Sequence, residues 1–163
     1  MKKGAGTLAL SGANTFTGPV KVEAGTLVAA NADALSGSVE IADGAVLDLG
    51  ASGPAVASIA ASGAVAGNLT VTHAVVLAGN GSILSVDGNL TFGNRAAIDF
   101  GLGDGDEAVT DWTPVAAVSG NIAVPTLVRA RNAGANFTRA DTCVIGGVLY
   151  AKPCEQGLML IMH

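Results

Sequence analysis

Apolar positions along this chain come in short runs, each closed by Gly, Asn, Asp or Pro. They fall at 7–10, 20–22, 26–29, 39–41, 45–49, 69–72, 75–77, 83–86, 90–92 and 97–100. Runs this short, with turn formers between them, predict β-strands. A beat passes through them. Glycines stand at 6, 25, 44, 63 and 81, spaced 19, 19, 19 and 18, and each is followed two residues later by Leu8, Leu27, Val46, Val65 or Ile83. A fixed period near 19 predicts a chain that stacks one coil on the next. A second apolar track, Val22, Ile41, Ile59 and Leu77, keeps spacings of 19, 18 and 18. Two tracks at one period put at least two strands in every coil.

Equivalent strands of successive coils then lie parallel, about 4.8 Å apart. Leu8 is expected on Leu27, Val46, Val65 and Ile83 in one inward column. The repeated glycines turn corners where a Cβ would clash or φ must be positive. A helical stripe survives nowhere for more than a turn. The alanine-rich run 54–66 stays in the coil, because the period passes through Gly63 undisturbed. After residue 100 the beat stops. An acidic loop at 101–111 leads to strand-like runs at 115–118, 122–124 and 126–130. The end reads as three antiparallel strands at 142–145, 148–152 and 158–162, with turns at Gly146-Gly147 and 153–157. The expected fold is all-β: a β-solenoid of about 19 residues per coil over 1–100, and a loop with a C-terminal antiparallel meander over 101–163. Both parts form one domain, the meander capping an edge that a stacked coil leaves open.

Composition supports thin stacked strands. Half of the 163 residues are apolar, yet only six are aromatic and 23 are glycine. The apolar content is small and branched, which suits strands better than a bulky helical core. With a mean hydropathy of +0.52 the chain still holds no apolar run of about 18 residues, so no membrane-spanning helix is expected. Met1-Lys2-Lys3 is followed by Gly4, Gly6 and Ser11 instead of an apolar stretch, so a signal peptide is expected outside this chain. The net charge is −5, and the few basic residues are scattered, with Arg129, Arg131 and Arg139 loosely grouped. Phosphate backbones need a positive footprint, so no nucleic-acid partner is expected.

Candidate chemistry is sparse. Asp104, Asp106, Glu107 and Asp111 form the one dense set of carboxylates. Paired carboxylates can share a proton and activate water, and oxygen-rich loops can hold Ca²⁺. The spacing here lacks the ligand ladder of a calcium loop, and no Asp-Thr-Gly or Asp-Ser-Gly is present. A solvated loop is the expectation, with no metal and no cofactor. His73, within a strand run, reads as a surface residue. Asn14, Asn31, Asn68, Asn80, Asn89 and Asn94 read as turn residues that tolerate left-handed backbone. Cys143 and Cys154 fit no zinc pattern. They are either a disulfide or two free thiols, and the meander favours the bridge by returning the turn at Cys154 toward the Cys143 strand.

Residues 3–29 resemble the autotransporter-associated β-strand repeat, also called the passenger-associated transport repeat. The matching pieces are Gly4-Ala5-Gly6-Thr7-Leu8, Leu10-Ser11-Gly12, Asn14-Thr15-Phe16-Thr17-Gly18 and Glu23-Ala24-Gly25-Thr26-Leu27, while Pro19-Val20 departs from the usual Gly-Thr. Gly67-Asn68-Leu69-Thr70-Val71 and Gly88-Asn89-Leu90-Thr91-Phe92 look like later rungs of such passengers. The resemblance implies a right-handed parallel β-helix, secreted or displayed on the outer surface of a bacterium. It implies a structural, adhesin-like role in contact with host glycoprotein or glycan. The alternative is a small secreted hydrolase of aspartic-protease or glycan-cleaving type, using a pair from Asp104, Asp106, Glu107, Asp111 or Asp99 on a mucin-like substrate. A homo-oligomer through the open edge of the β-helix is a further expectation.

Overall fold

The computed structural model describes the chain except for residues 17, 36, 51–52, 78–82, 103–108, 126–127, 134–136 and 156–163. Its described residues hold sixteen strands and no helix. In chain order these are β1 (Thr7–Leu10), β2 (Val20–Val22), β3 (Thr26–Ala29), β4 (Ser38–Ile41), β5 (Val46–Gly50), β6 (Ala55–Ala61), β7 (Ala64–Gly67) and β8 (Leu69–Val76). They continue as β9 (Leu84–Asp87), β10 (Leu90–Phe92), β11 (Ala97–Asp99), β12 (Thr113–Val118), β13 (Ile122–Ala123), β14 (Val128–Arg131), β15 (Phe137–Ile145) and β16 (Val148–Glu155).

Parallel pairing assembles these strands into the stacked coils that the period predicts. One face runs β1-β3-β5-β7-β9-β12 and a second runs β2-β4-β6-β8-β11-β14. A third face forms where β6 and β8 are long enough to turn a corner. Val56 pairs with Val71 and Val71 with Phe92, while Leu69 pairs with Leu90 and Leu90 with Ile122. The run 54–66 is therefore strand, as its place in the period requires.

The core is the set of columns these registers stack. On the first face Leu8, Leu27, Leu47, Val65, Val86 and Val118 succeed one another. On the second, Val20, Val39, Ile59, Val75, Ile98 and Ala130 do so. Leu47, Val65, Ile59 and Ile98 are completely buried.

Two expected alignments are displaced. Leu27 stacks on Leu47, not on Val46, and Val65 stacks on Val86, not on Ile83. Ile41 pairs with Ala61, while Ile59 continues the column of Val39 and leads to Val75 rather than Leu77. A strand's inward positions alternate, so a one-residue slip exchanges its faces. Because Leu47 and Leu49 face inward, Val46 cannot. The coils are thus 19, 20 and 18 residues apart along the column from Leu8 to Val65. At the corners, Gly25 has φ of 71°, and a Cβ there would lie 2.6 Å from the Gly4 carbonyl oxygen. Gly63 needs no positive φ, but a Cβ there would collide with the Ala42 and Ala45 carbonyls.

The first and second faces are closed at the C-terminal end, while β13, the last strand of the third, pairs only with β10. β15 and β16 form an antiparallel hairpin around Gly146-Gly147. β16 pairs with β12 on the first face and β15 with β14 on the second. The hairpin thereby covers the last edge of both faces, the task expected of a cap. The expected third strand at 158–162 lies outside the described residues. The expected turn at 153–157 begins inside β16 instead. Pro153 is tolerated in that strand because pairing with β12 stops at Ala151, so its missing N–H costs no bond on that side.

Candidate functional site

The acidic loop yields no assembled centre among the described residues. Asp104, Asp106 and Glu107 lie outside them. Asp111 is exposed, and its carboxylate accepts the Trp112 backbone N–H at 2.7 Å. Asp99 sits at the end of β11, where it accepts Asn132 Nδ2 at 2.9 and 3.0 Å and the Gly101 N–H at 3.0 Å. The Asn132 bonds tie one coil to the next, and the Gly101 bond closes the local turn. Among the described residues no three His, Cys, Asp or Glu side chains gather as a metal site. His73 is exposed, with Nδ1 3.0 Å from the Thr72 hydroxyl.

The cysteines are not bridged. Cys143 lies opposite Tyr150 and Cys154 opposite Arg139, so the register holds them four positions apart along the hairpin. At ~3.3 Å per residue that is roughly 13 Å, well beyond the Cα separation of a disulfide. Both are free thiols. The reading that favoured a bridge relied on a turn at Cys154, which is strand instead. Partial burial pushes the Cys154 thiol above its usual range. The Asp141 carboxylate, 3.8 Å from the sulfur, adds to that, and Arg139 opposes it.

An asparagine ladder escaped the sequence reading. Asn68, Asn89 and Asn121 precede Leu69, Leu90 and Ile122, which pair in register on the third face. Asn89 donates its backbone N–H and its Nδ2 to Asn68 Oδ1 at 3.1 and 3.0 Å. Asn121 donates its backbone N–H to Asn89 Oδ1 at 2.8 Å. The signal was the recurrence of Gly-Asn before an aliphatic residue at 67, 88 and 120. These asparagines carry inter-coil bonds rather than left-handed backbone. Asn132, with φ of 46°, is the one described non-glycine residue at positive φ.

The first coil has a structure of its own. Lys2 makes a parallel bridge to Val22, and its backbone N–H donates to the Lys21 carbonyl at 2.6 Å. Lys2 is 8 % exposed, and its ammonium donates to the carbonyls of Gly4 at 2.6 Å, Ala24 at 2.8 Å and Lys3 at 3.4 Å. A buried cation is tolerable when its donors are met in this way. Next to it Leu8, Leu10, Phe16, Pro19 and Val20 line an open apolar groove. β1 pairs only with β3 among the described strands, so its other edge is unpaired.

Residues 2–29 match the family model of the passenger-associated-transport-repeat. The chain carries a passenger-associated transport repeat. A β-solenoid led by that repeat fits an autotransporter passenger module. Neither a curated protein nor a solved structure matches the chain. The repeat spans β1, β2 and β3, together with the Lys2 cap and the corner glycine Gly25. It is therefore one coil plus the first strand of the next, the smallest piece that contains a complete stacking contact. No described helix is long and apolar enough to cross a membrane.

Proposed function

We propose that this chain is a secreted or surface-displayed passenger module with an adhesin-like role, making contact with host glycoprotein or glycan through its outer faces. The observation that carries this reading is the passenger repeat at residues 2–29, folded as the leading coil of a solenoid. Its inward positions are used up in stacking, so any ligand must meet outward side chains on a rigid sheet. Shallow binding without turnover is the activity such a surface supports best. The test is binding of the purified chain to a glycan array and to immobilised mucin. Saturable binding with intact ligand supports the reading. Mucin cleavage that disappears in an Asp104→Asn/Asp106→Asn variant would replace it with the hydrolase alternative.

The ends differ in what they offer to a second copy. The hairpin covers the edges of β12 and β14, and among the described strands β1 and β13 each keep one unpaired edge through which self-association would run. Sedimentation across a concentration series tests this, and a monomer throughout would remove it.

A further inference from the structure

Four of the eight cationic side chains meet at the C-terminal end of the solenoid, Arg129 and Arg131 on β14 and Arg139 and Lys152 on the hairpin that pairs with it. The scattered impression left by the sequence ends here, because the fold sets β14 beside β15. Arg129 and Arg139 are directly opposite partners in an antiparallel pair. That places their Cβ atoms about 5 Å apart. Arg131 follows on the same face two residues along β14, and all three arginines are exposed. Like charges set opposite one another destabilise a sheet unless something of opposite sign lies between them.

Two carboxylates are near: Asp99 is the register partner of Arg131 and accepts from Asn132 and the Gly101 N–H, and Asp141 is the register partner of Lys152, 3.8 Å from the Cys154 sulfur. Neither is paired with Arg129 or Arg139, and neither forms an ion pair with an arginine among the described residues. The ion pairs among the described residues, Lys3–Glu23 and Lys21–Glu40, are at the opposite end of the solenoid. Three guanidinium forks are thus left with their donors directed to solvent, and that fork geometry matches carboxylate and sulfate. Two aromatics complete the face. Tyr150 alternates outward with Lys152 on β16, and Trp112, 43 % exposed, precedes Thr113, the partner of Ala151. Arg129, Arg139 and Lys152 lie on the neighbouring strands β14, β15 and β16, and Trp112 immediately precedes the next strand, β12. At ~4.8 Å per strand they span roughly 14 Å, the scale of an oligosaccharide.

We infer that this face binds an acidic glycan, its anionic groups lying between Arg129 and Arg139 and its rings against Trp112 and Tyr150. The inference rests on the adhesin reading and gives it a ligand class and a place. Sulfated and carboxylated sugars share the chemistry required, and the assay separates them. Calorimetry of the purified chain would use a heparin hexasaccharide, sialyllactose, neutral lactose and a DNA duplex as probes. Binding is expected for at least one acidic sugar and not for lactose, and added salt should weaken it. R129Q/R139Q should weaken it about ten-fold or more while melting no lower than the parent. R129K/R139K, which keeps the charge and loses the fork, should fall between them. K21Q, at the far end, should bind like the parent. Neutral-sugar binding untouched by R129Q/R139Q would overturn this inference and leave the adhesin reading standing. Absence of binding to every sugar would overturn both. DNA binding as tight as the sugar would overturn the glycan as ligand.

Discussion

The stacked column from Leu8 to Val118 predicts that one substitution has a cost set by depth in the stack. Leu47→Ala and Leu8→Ala remove the same atoms from the same column. Leu47 has no exposed surface, with coils on both sides of it. Truncation there loses roughly 2 kcal/mol of transfer free energy and leaves an enclosed cavity, for a total of about 3–4 kcal/mol. Leu8 is already 45 % exposed and faces the open groove at the end of the solenoid. About half of its burial is there to lose, and no closed cavity results, so the cost is about 1 kcal/mol. The expected gap is therefore about 2–3 kcal/mol, read as a shift in the urea midpoint at constant m. Equal costs, or a larger cost for Leu8→Ala, would refute the one-dimensional stacking from which the difference is derived.

Gly67→Ala should cost far more than Gly44→Ala. Both glycines have positive φ, 92° and 72°, a strain of about 1–2 kcal/mol for alanine. At Gly67, though, a Cβ would also lie 2.7 Å from the Gly50 nitrogen and closer still to its carbonyl oxygen, whereas Gly44 meets nothing within 4 Å. Thermal melts should rank them in that order, and equal shifts would count against the register of β5 on β7. Asn89→Ala removes the acceptor of the Asn121 N–H and should cost about 1–3 kcal/mol. Hydrogen exchange should show the Asn121 amide losing protection, and an unchanged rate would dismiss the ladder. In a Cys143→Ser background, Cys154 should be alkylated with a pH profile displaced upward from that of a free thiol, chiefly by burial, and Asp141→Asn should move it part of the way back. The sign follows from a folded thiol that holds its proton more tightly than the unfolded one. Any stability this contributes is present below the unfolded pKa and fades as pH rises through the folded one.

The period was legible because each corner uses glycine and each following strand begins with an aliphatic residue. The exact register was not, and the run Ala45-Val46-Leu47 shows why. Three apolar residues in succession carry no alternation, so either Val46 or Leu47 could have headed the column. Only contact with the coils above and below chooses Leu47. The third face is half visible in the repeated Gly-Asn-Leu-Thr at 67 and 88, yet in sequence alone each asparagine reads as a turn former. A ladder is a relation between coils, and one asparagine looks the same with or without it. The cysteines failed for a similar reason. Pro153 looked like a turn, but it falls just past the last residue of β16 paired with β12, and the hairpin continues through it. The acidic loop, most conspicuous in the sequence, is represented among the described residues by Asp111, which binds the backbone next to it. The loose grouping of Arg129, Arg131 and Arg139 is legible, but their shared face is not, because Arg129 and Arg139 are ten residues apart in sequence and become direct partners only when β15 returns on β14.

The two ends of the molecule follow from one constraint. A residue inside a parallel column must resemble the residues above and below it, and its outward neighbours crowd identical strands. The described outward positions of the coils accordingly carry Thr7, Thr26, Ser38, Ser58, Ala64 and Ser85 more often than charge. The hairpin is released from this constraint, since each of its antiparallel strands meets the solenoid along one edge only. The single tyrosine and two of the cations, Arg139 and Lys152, lie on it, and Trp112, Arg129 and Arg131 lie on or just before the solenoid strands β12 and β14 with which it pairs. The face inferred for glycan binding lies where the stacking ends, while the repeat leads the coils at the other end. A passenger built this way can vary its cap without disturbing the registers of the coils beneath it.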